Sequence, residues 1–265
     1  MPGPSLPILY HGEPTGPSLI ALAALFESGL QLETRSIDLL AGERYAIPDV
    51  SEPLALDHSV EGEGPVLLIE GEAITDAVFL AQYFDEQAGG AGLQPSDPYV
   101  HWQMTMWCRQ TSERLAPASA CLGTFTHAQD RLAAMEAAEF ERIAAQIESA
   151  DLRERWRDLR ENRVDSAQFA DSKSKVAQFC ERVEDQLADG RTWLFGGFSI
   201  ADLVTFAWLR PLAETEAASF AAKEGLSAWL ARTEARPSVR AALDQARTDD
   251  PLQAFAPGPE INRWG

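Results

Sequence analysis

The stretch GPVLLIEGEAITDAVFLAQYF, Gly64–Phe84, decides how the first part of this chain folds. It reads as a short apolar strand entered through Pro65, a tight turn at Glu70-Gly71, a second strand, and a helix opening at Thr75-Asp76. Proline has no N–H to give a ladder, so at a strand entrance it can take a cis bond and turn backbone groups toward a ligand. A helix N-terminus shortly afterwards adds amide donors and the positive end of a dipole, both suited to a carboxylate. Together the proline-led strand entrance and the helix opening at Thr75-Asp76 outline a cradle for an extended, anionic, peptide-like ligand.

Working outward, Leu6–Tyr10 is an apolar strand after a proline-rich start. The loop HGEPTGP then leads to an apolar run from Ser18 to Ser28, too continuous for a strand, which ends at Gly29 and reads as a buried helix with a glycine stop. Leu32–Ile37 alternates apolar and polar residues and is a second strand. A strand-helix-strand crossover of this length implies parallel pairing, whereas Val66–Ile69 and Glu72–Ile74 must run antiparallel across their turn. Between these units, prolines and acids in 41–64 forbid a long helix.

Residues 89–98, GGAGLQPSDP, form a linker by composition, and the chain beyond them is helical in pattern. Helices are expected at Tyr99–Arg114, through the charged stretch around Arg131–Arg163, and at Asp171–Asp189, Ile200–Leu209 and Ser227–Ala235. The run DLRERWRDLRENR reads as a solvated, ion-paired helix face. In FSIADLVTFAWL, Phe198–Leu209, Ser199 and Asp202 stand three apart and can form a reciprocal capping box, with Phe198 placed to staple the first turn.

The chain has 265 residues and a net charge of −19, which disfavours nucleic acid and anionic membranes as partners. An anionic ligand must therefore be held by local donors. No membrane span or secretory signal is visible, and the three cysteines (Cys108, Cys121, Cys180) fit neither a disulfide framework nor a zinc pattern. A reducing cytoplasm is the expected setting. The four histidines make no helix-spaced pair that would call for a metal.

The Pro65 element, the S-x-A-D motif at Ser199 and the tail LSAWLARTEARPSVRAAL (Leu226–Leu243) together resemble the glutathione S-transferase family. The opening LYHGEPTGPSLIALAAL and the acidic insert in the second domain resemble bacterial lignin β-etherases of the fungal-type (Fua-like) branch. The resemblance implies a thioredoxin-like α/β domain over 1–88 (βαβ plus ββα), the 89–98 linker, an all-helical domain over 99–248 for substrate and dimerisation, and a tail over 249–265. It implies glutathione as co-substrate, with Gly64, Pro65 and Val66 along its backbone and Thr75, Asp76 and Ala77 at its γ-glutamyl end. The implied chemistry is attack of the glutathione thiolate on the β-carbon of an aryl ether, expelling a phenolate.

By the same resemblance Ser18 orients the thiolate, with Thr15 a rival for that role. On local grounds alone Ser18 is a helix N-cap. Tyr10 is expected packed or at the surface, His11 incidental, and Trp102, Met106, Trp107 and Arg109 on a helix that walls the substrate site in relatives, their spacing equally suited to packing.

Two positions and one segment depart from the family pattern. Ala77 stands where relatives carry a serine, Gly64 replaces a valine, and 41–64 is irregular where relatives carry a helix. Loss of one hydroxyl to a carboxylate costs about 1.5–3 kcal/mol of binding. The expectation is a β-etherase-like subunit that pairs with a homologous transferase chain in a heterodimer and is itself non-catalytic. Two alternatives stand beside it: a competent homodimeric transferase using Ser18, and a non-enzymatic binding module on a transferase fold.

Overall fold

Strands β1 (Ile8–His11), β2 (Glu33–Ser36), β3 (Val66–Ile69) and β4 (Glu72–Ile74) form one mixed sheet in the order β2-β1-β3-β4. The computed structural model describes residues 7–47, 64–147, 149–163 and 165–255. β1 and β2 are parallel, and β3 runs antiparallel to both β1 and β4, as the sequence pattern requires. The β3–β4 turn is tight because Glu70 and Gly71 both take positive φ (52° and 85°), the mirror-image turn that matches strand twist.

Helix α1 (Gly16–Ser28) crosses from β1 to β2 and ends on Gly29 at φ 70°, the expected stop. It starts earlier than expected, at Gly16, because Pro17 lacks an N–H that the first turn leaves unpaired anyway. Residues 19–25 are at most 2 % exposed, since α1 packs against α2 (Ala77–Gln87) on one side and against the helical half on the other. Glu27 on α1 ties the halves together through Arg236 and Ser238. Burial alone would raise its pKa; hydrogen bonds from Arg236 and Ser238 outweigh that and hold it low.

The linker is anchored, because the Asp85 carboxylate accepts the Leu93 amide at 3.0 Å and Leu93 is buried. Beyond it, α3 (Pro98–Gln110), α4 (Ala116–Gly123) and α5 (Gln129–Ala134) form one rod interrupted by wide turns at Thr111–Leu115 and Thr124–Ala128. Pro117 explains the first, since its ring would clash with the carbonyl four residues back. At the second, Thr124 Oγ1 donates to the Ala120 carbonyl at 2.7 Å. The charged stretch therefore divides into α5, α6 (Ala137–Ala144) and α7 (Ala150–Arg160).

In α7, Leu152, Trp156 and Leu159 are buried in a satellite core with Leu40, Leu132, Phe140 and Ile143. The opposite face pairs Arg157 with Glu141 and Arg163 with Glu154 and Asp158, the ion-paired face expected. Next, α8 (Ser166–Leu187) starts before the expected Asp171, because Asp165 accepts the Ala167 amide and caps it. It is followed by α9 (Ile200–Leu209), α10 (Ala217–Phe220), α11 (Glu224–Glu234) and α12 (Pro237–Leu243).

The capping box at α9 is formed. Its Asp202 does more than cap: one oxygen accepts the Ser199 amide and hydroxyl, the other the Leu194 amide and Trp229 Nε1, at 2.8–3.1 Å. Burial pushes the Asp202 pKa above the usual carboxylate range despite these donors. No helix among the described residues is long and apolar enough to cross a membrane.

Candidate functional site

Strand register alone brings the scattered candidate residues to one end of the sheet. Tyr10, near the end of β1, pairs with Val66 at the start of β3, and Ile74 at the end of β4 pairs with Leu67. Hence Gly64-Pro65 before β3, Thr75-Asp76 after β4, and the loop from Gly12 after β1 all emerge at the same edge. The N-termini of α1 and α2 open at that edge too, because each helix follows its strand directly. Two helix dipole ends thus open at that edge, which suits a negatively charged ligand, while the Val78 and Phe79 amides of α2 are already taken by Asp76.

Asp76 is the N-cap of α2, and its Oδ1 accepts the amides of Val78 (3.0 Å) and Phe79 (3.2 Å). The helix therefore begins one residue later than the Thr75-Asp76 opening. Asp76 sits at φ 72° and ψ 111°, a conformation that costs a non-glycine residue on the order of 1–3 kcal/mol. Such strain persists only where the surroundings impose it. Ala77 is fully buried in the first turn of α2. Gly64 and Pro65 are buried too, and all described peptide bonds are trans, including that between them. The cis geometry that proline permits is not used; trans is intrinsically favoured by about 0.5–1 kcal/mol. Of the irregular wall, 43–46 forms a short 3-10 turn, and 48–63 lies outside the described residues.

Ser18 is not the N-cap of α1; Thr15 occupies that position, without a capping side-chain hydrogen bond. Instead the Ser18 Oγ accepts the Gly12 amide at 2.9 Å and is 2 % exposed. A hydroxyl engaged as acceptor keeps its proton to donate, the property a thiolate partner needs. Gly16 turns the chain into α1 at φ +46°, and a Cβ there would stand 3.3 Å from the Trp208 ring. Only glycine meets both conditions.

The loop is more enclosed than the sequence implied. His11 ends β1 and is 1 % exposed, so it is not an incidental loop residue. Burial lowers its pKa, the Gly12 carbonyl works the other way, and Arg247 adds to the lowering. Glu13 and Thr15 are each 8 % exposed, and the Glu13 carboxylate accepts the Arg247 amide at 3.0 Å. Leu39, Trp208 and Arg247, all near this loop, were outside the sequence expectations because no local pattern links them to it.

Other candidates fall into place by packing. Tyr10 is buried and its hydroxyl accepts from Arg35 at 3.2 Å. Trp107 is buried with its Nε1 donating to Thr205, Arg109 pairs with Glu113 on the surface, and Trp102 is exposed. A separate cleft of about 630 Å³ opens at the far end of the rod, lined by Thr126, His127, Asp130, Arg131, Met135 and Gln253 among others.

The protein LigF of Sphingobium sp. strain SYK-6 is 25 % identical over 253 residues, covering 92 % of this chain and 96 % of LigF. The crystal structure of that β-etherase superposes with a TM-score of 0.81 over 91 % of this chain and all of that one, at 24 % identity. Glutathione transferase F7 of Populus trichocarpa superposes at 0.64 over 90 % of this chain and 98 % of its own, at 20 % identity. A Sulfitobacter glutathione transferase homologue solved with bound glutathione gives 0.62 over 90 % of this chain and 97 % of its own, at 21 % identity. No family model matches the chain. A four-strand mixed sheet, a helical second half begun through a buried linker residue, and these superpositions agree: the chain has the glutathione transferase fold and resembles the β-etherase LigF along nearly its whole length.

Proposed function

We propose that this chain is a glutathione transferase-like subunit of the β-etherase type, set in a reducing cytoplasm. Its likeness to LigF over 92 % of its length carries the reading. Glutathione lies with its backbone along Gly64–Val66 and its γ-glutamyl carboxylate at the start of α2, by Thr75–Ala77. Its sulfur faces the loop after β1, where Ser18, or Thr15 beside it, donates to the thiolate and lowers its pKa. In the reaction the sulfur forms a bond to the β-carbon, the carbon–oxygen bond breaks, and the electron pair leaves with the phenolate.

In a heterodimer this chain is the supporting member: it keeps the same site in weakened form, and the homologous partner subunit carries the ether cleavage. Ala77 offers no hydroxyl to the γ-glutamyl carboxylate, and Ser18 and Thr15 are enclosed in this conformation. Tyr99 and Trp102 are stacked and 65 and 55 % exposed, and Phe79 is 63 % exposed, apolar groups left for a homologous transferase subunit to cover. Calorimetric titration with glutathione and assay of a model β-aryl ether, with and without a homologous partner, test the reading. Cleavage by this chain alone at ordinary enzyme rates would sink the supporting role. The polarised Ser18 hydroxyl favours a second reading, a competent homodimer, whose catalytic competence that same result would support.

A further inference from the structure

The loop after β1 is covered by the chain's own C-terminal segment. The Glu13 carboxylate accepts the Arg247 amide at 3.0 and 3.3 Å, and the Arg247 guanidinium reaches the Ser36 carbonyl at 3.4 Å and Glu43 at 3.9 Å. Glu13, at 8 % exposure, thus lies beneath the segment, not in solvent. Further along, Phe255 is 3 % exposed and packs edge-on against Trp208, ring centroids 6.0 Å apart. Trp208 in turn faces Gly16 at the mouth of α1, and Phe255 also abuts Gly123 on the rod. The two anchors differ in kind: a buried carboxylate holding a backbone amide, and a ring wedged between helices. Between them 249–254 mixes exposed and half-buried residues around a short 3-10 turn, with Leu252 packed on the core as a lesser contact between the two anchors.

We propose that residues 247–255 are a strap that closes the loop bearing Thr15 and Ser18, and that this strap lifts at Glu13 and Phe255 before any ligand reaches them. The strap sets access to the loop whatever ligand enters, so it does not rest on glutathione being that ligand. Local opening of this sort draws on the low-stability end of a fold's motions, without global unfolding.

The test places a reporter thiol under the strap, Thr15→Cys, and follows its alkylation by iodoacetamide peptide by peptide in the mass spectrometer. Cys108, 2 % exposed in the main core, is the internal reference for global unfolding. With the strap intact, Cys at position 15 should label much faster than Cys108; equal rates would mean that only global unfolding exposes the loop, and would overturn the strap. Glu13→Gln removes the charge from the anchor, and Phe255→Ala removes the wedge. Either should raise labelling at position 15 about tenfold or more, the equivalent of one charge-assisted hydrogen bond, while Cys108 stays protected. Unchanged labelling at position 15, or a parallel rise at both cysteines, refutes the proposal.

Discussion

Replacing Asp202 by asparagine should destabilise the protein by about 2–4 kcal/mol, by the following reasoning. Four donors converge on this carboxylate: Leu194 N and Trp229 Nε1 on one oxygen, Ser199 N and Oγ on the other. Asparagine keeps one acceptor oxygen, enough for the first pair. Its NH2 group then faces the Ser199 amide, while the Ser199 hydroxyl can turn to accept. One buried N–H is thus orphaned, at about 1–3 kcal/mol, and the two retained bonds lose their charge assistance, roughly 1 kcal/mol each. Against this, removing a charge that burial disfavours returns part of the sum, which the raised pKa of Asp202 signals. Hydrogen-bond loss wins because the Ser199 amide cannot move away from its helix start. Urea denaturation followed by circular dichroism, with the midpoint shift multiplied by m, reads the difference. An Asp202→Asn protein within about 0.5 kcal/mol of the parent would show that Asp202 is held by packing and that its four bonds are incidental.

Three further outcomes are expected. Ala77→Ser should tighten glutathione binding roughly tenfold or more in calorimetry, because it restores a hydroxyl beside the γ-glutamyl carboxylate; an unchanged Kd removes position 77 from the cradle. Ser18→Ala orphans the buried Gly12 amide and should cost about 1–3 kcal/mol, lowering Tm by several degrees in a thermal melt; in a chain with turnover of its own it should also abolish that turnover, and full activity would exclude Ser18 as the thiolate's partner. His11 has a folded-state pKa below 6.5, so its contribution is present above pH 6.5 and is lost as pH falls toward the folded value. The stability gap between the parent and His11→Gln should accordingly shrink from pH 8 to pH 5, and a gap independent of pH would contradict the buried neutral imidazole.

Much of the architecture was legible because it rests on local chemistry. Strands β3 and β4 and their turn follow from the alternation around Glu70-Gly71, and the glycine stop of α1 and the cap of α9 are written in single residues. Where local reading failed, a longer-range contact or an overlooked cap had competed. Ser18 looks like an N-cap in any window of a few residues, yet Pro17 lets the helix begin earlier and Gly12 claims the hydroxyl. Tyr99–Arg114 continues into a rod beyond its expected end, because wide turns absorb Pro117 instead of ending the helix. Asp165 accepts the Ala167 amide and caps α8, so the helix begins before the expected Asp171.

By itself, then, the order of residues determined the strand-helix-strand and strand-strand-helix units, the helical second half, and which residues could form an anionic cradle, because periodicity, caps and turn residues act over a few positions. Only the tertiary structure decided that those residues share one sheet edge, that Asp76 holds a strained backbone there, and that Glu13 lies under Arg247, more than two hundred residues away. Strand register and the docking of the C-terminal segment depend on contacts between distant parts of the chain, and no window of sequence contains both partners.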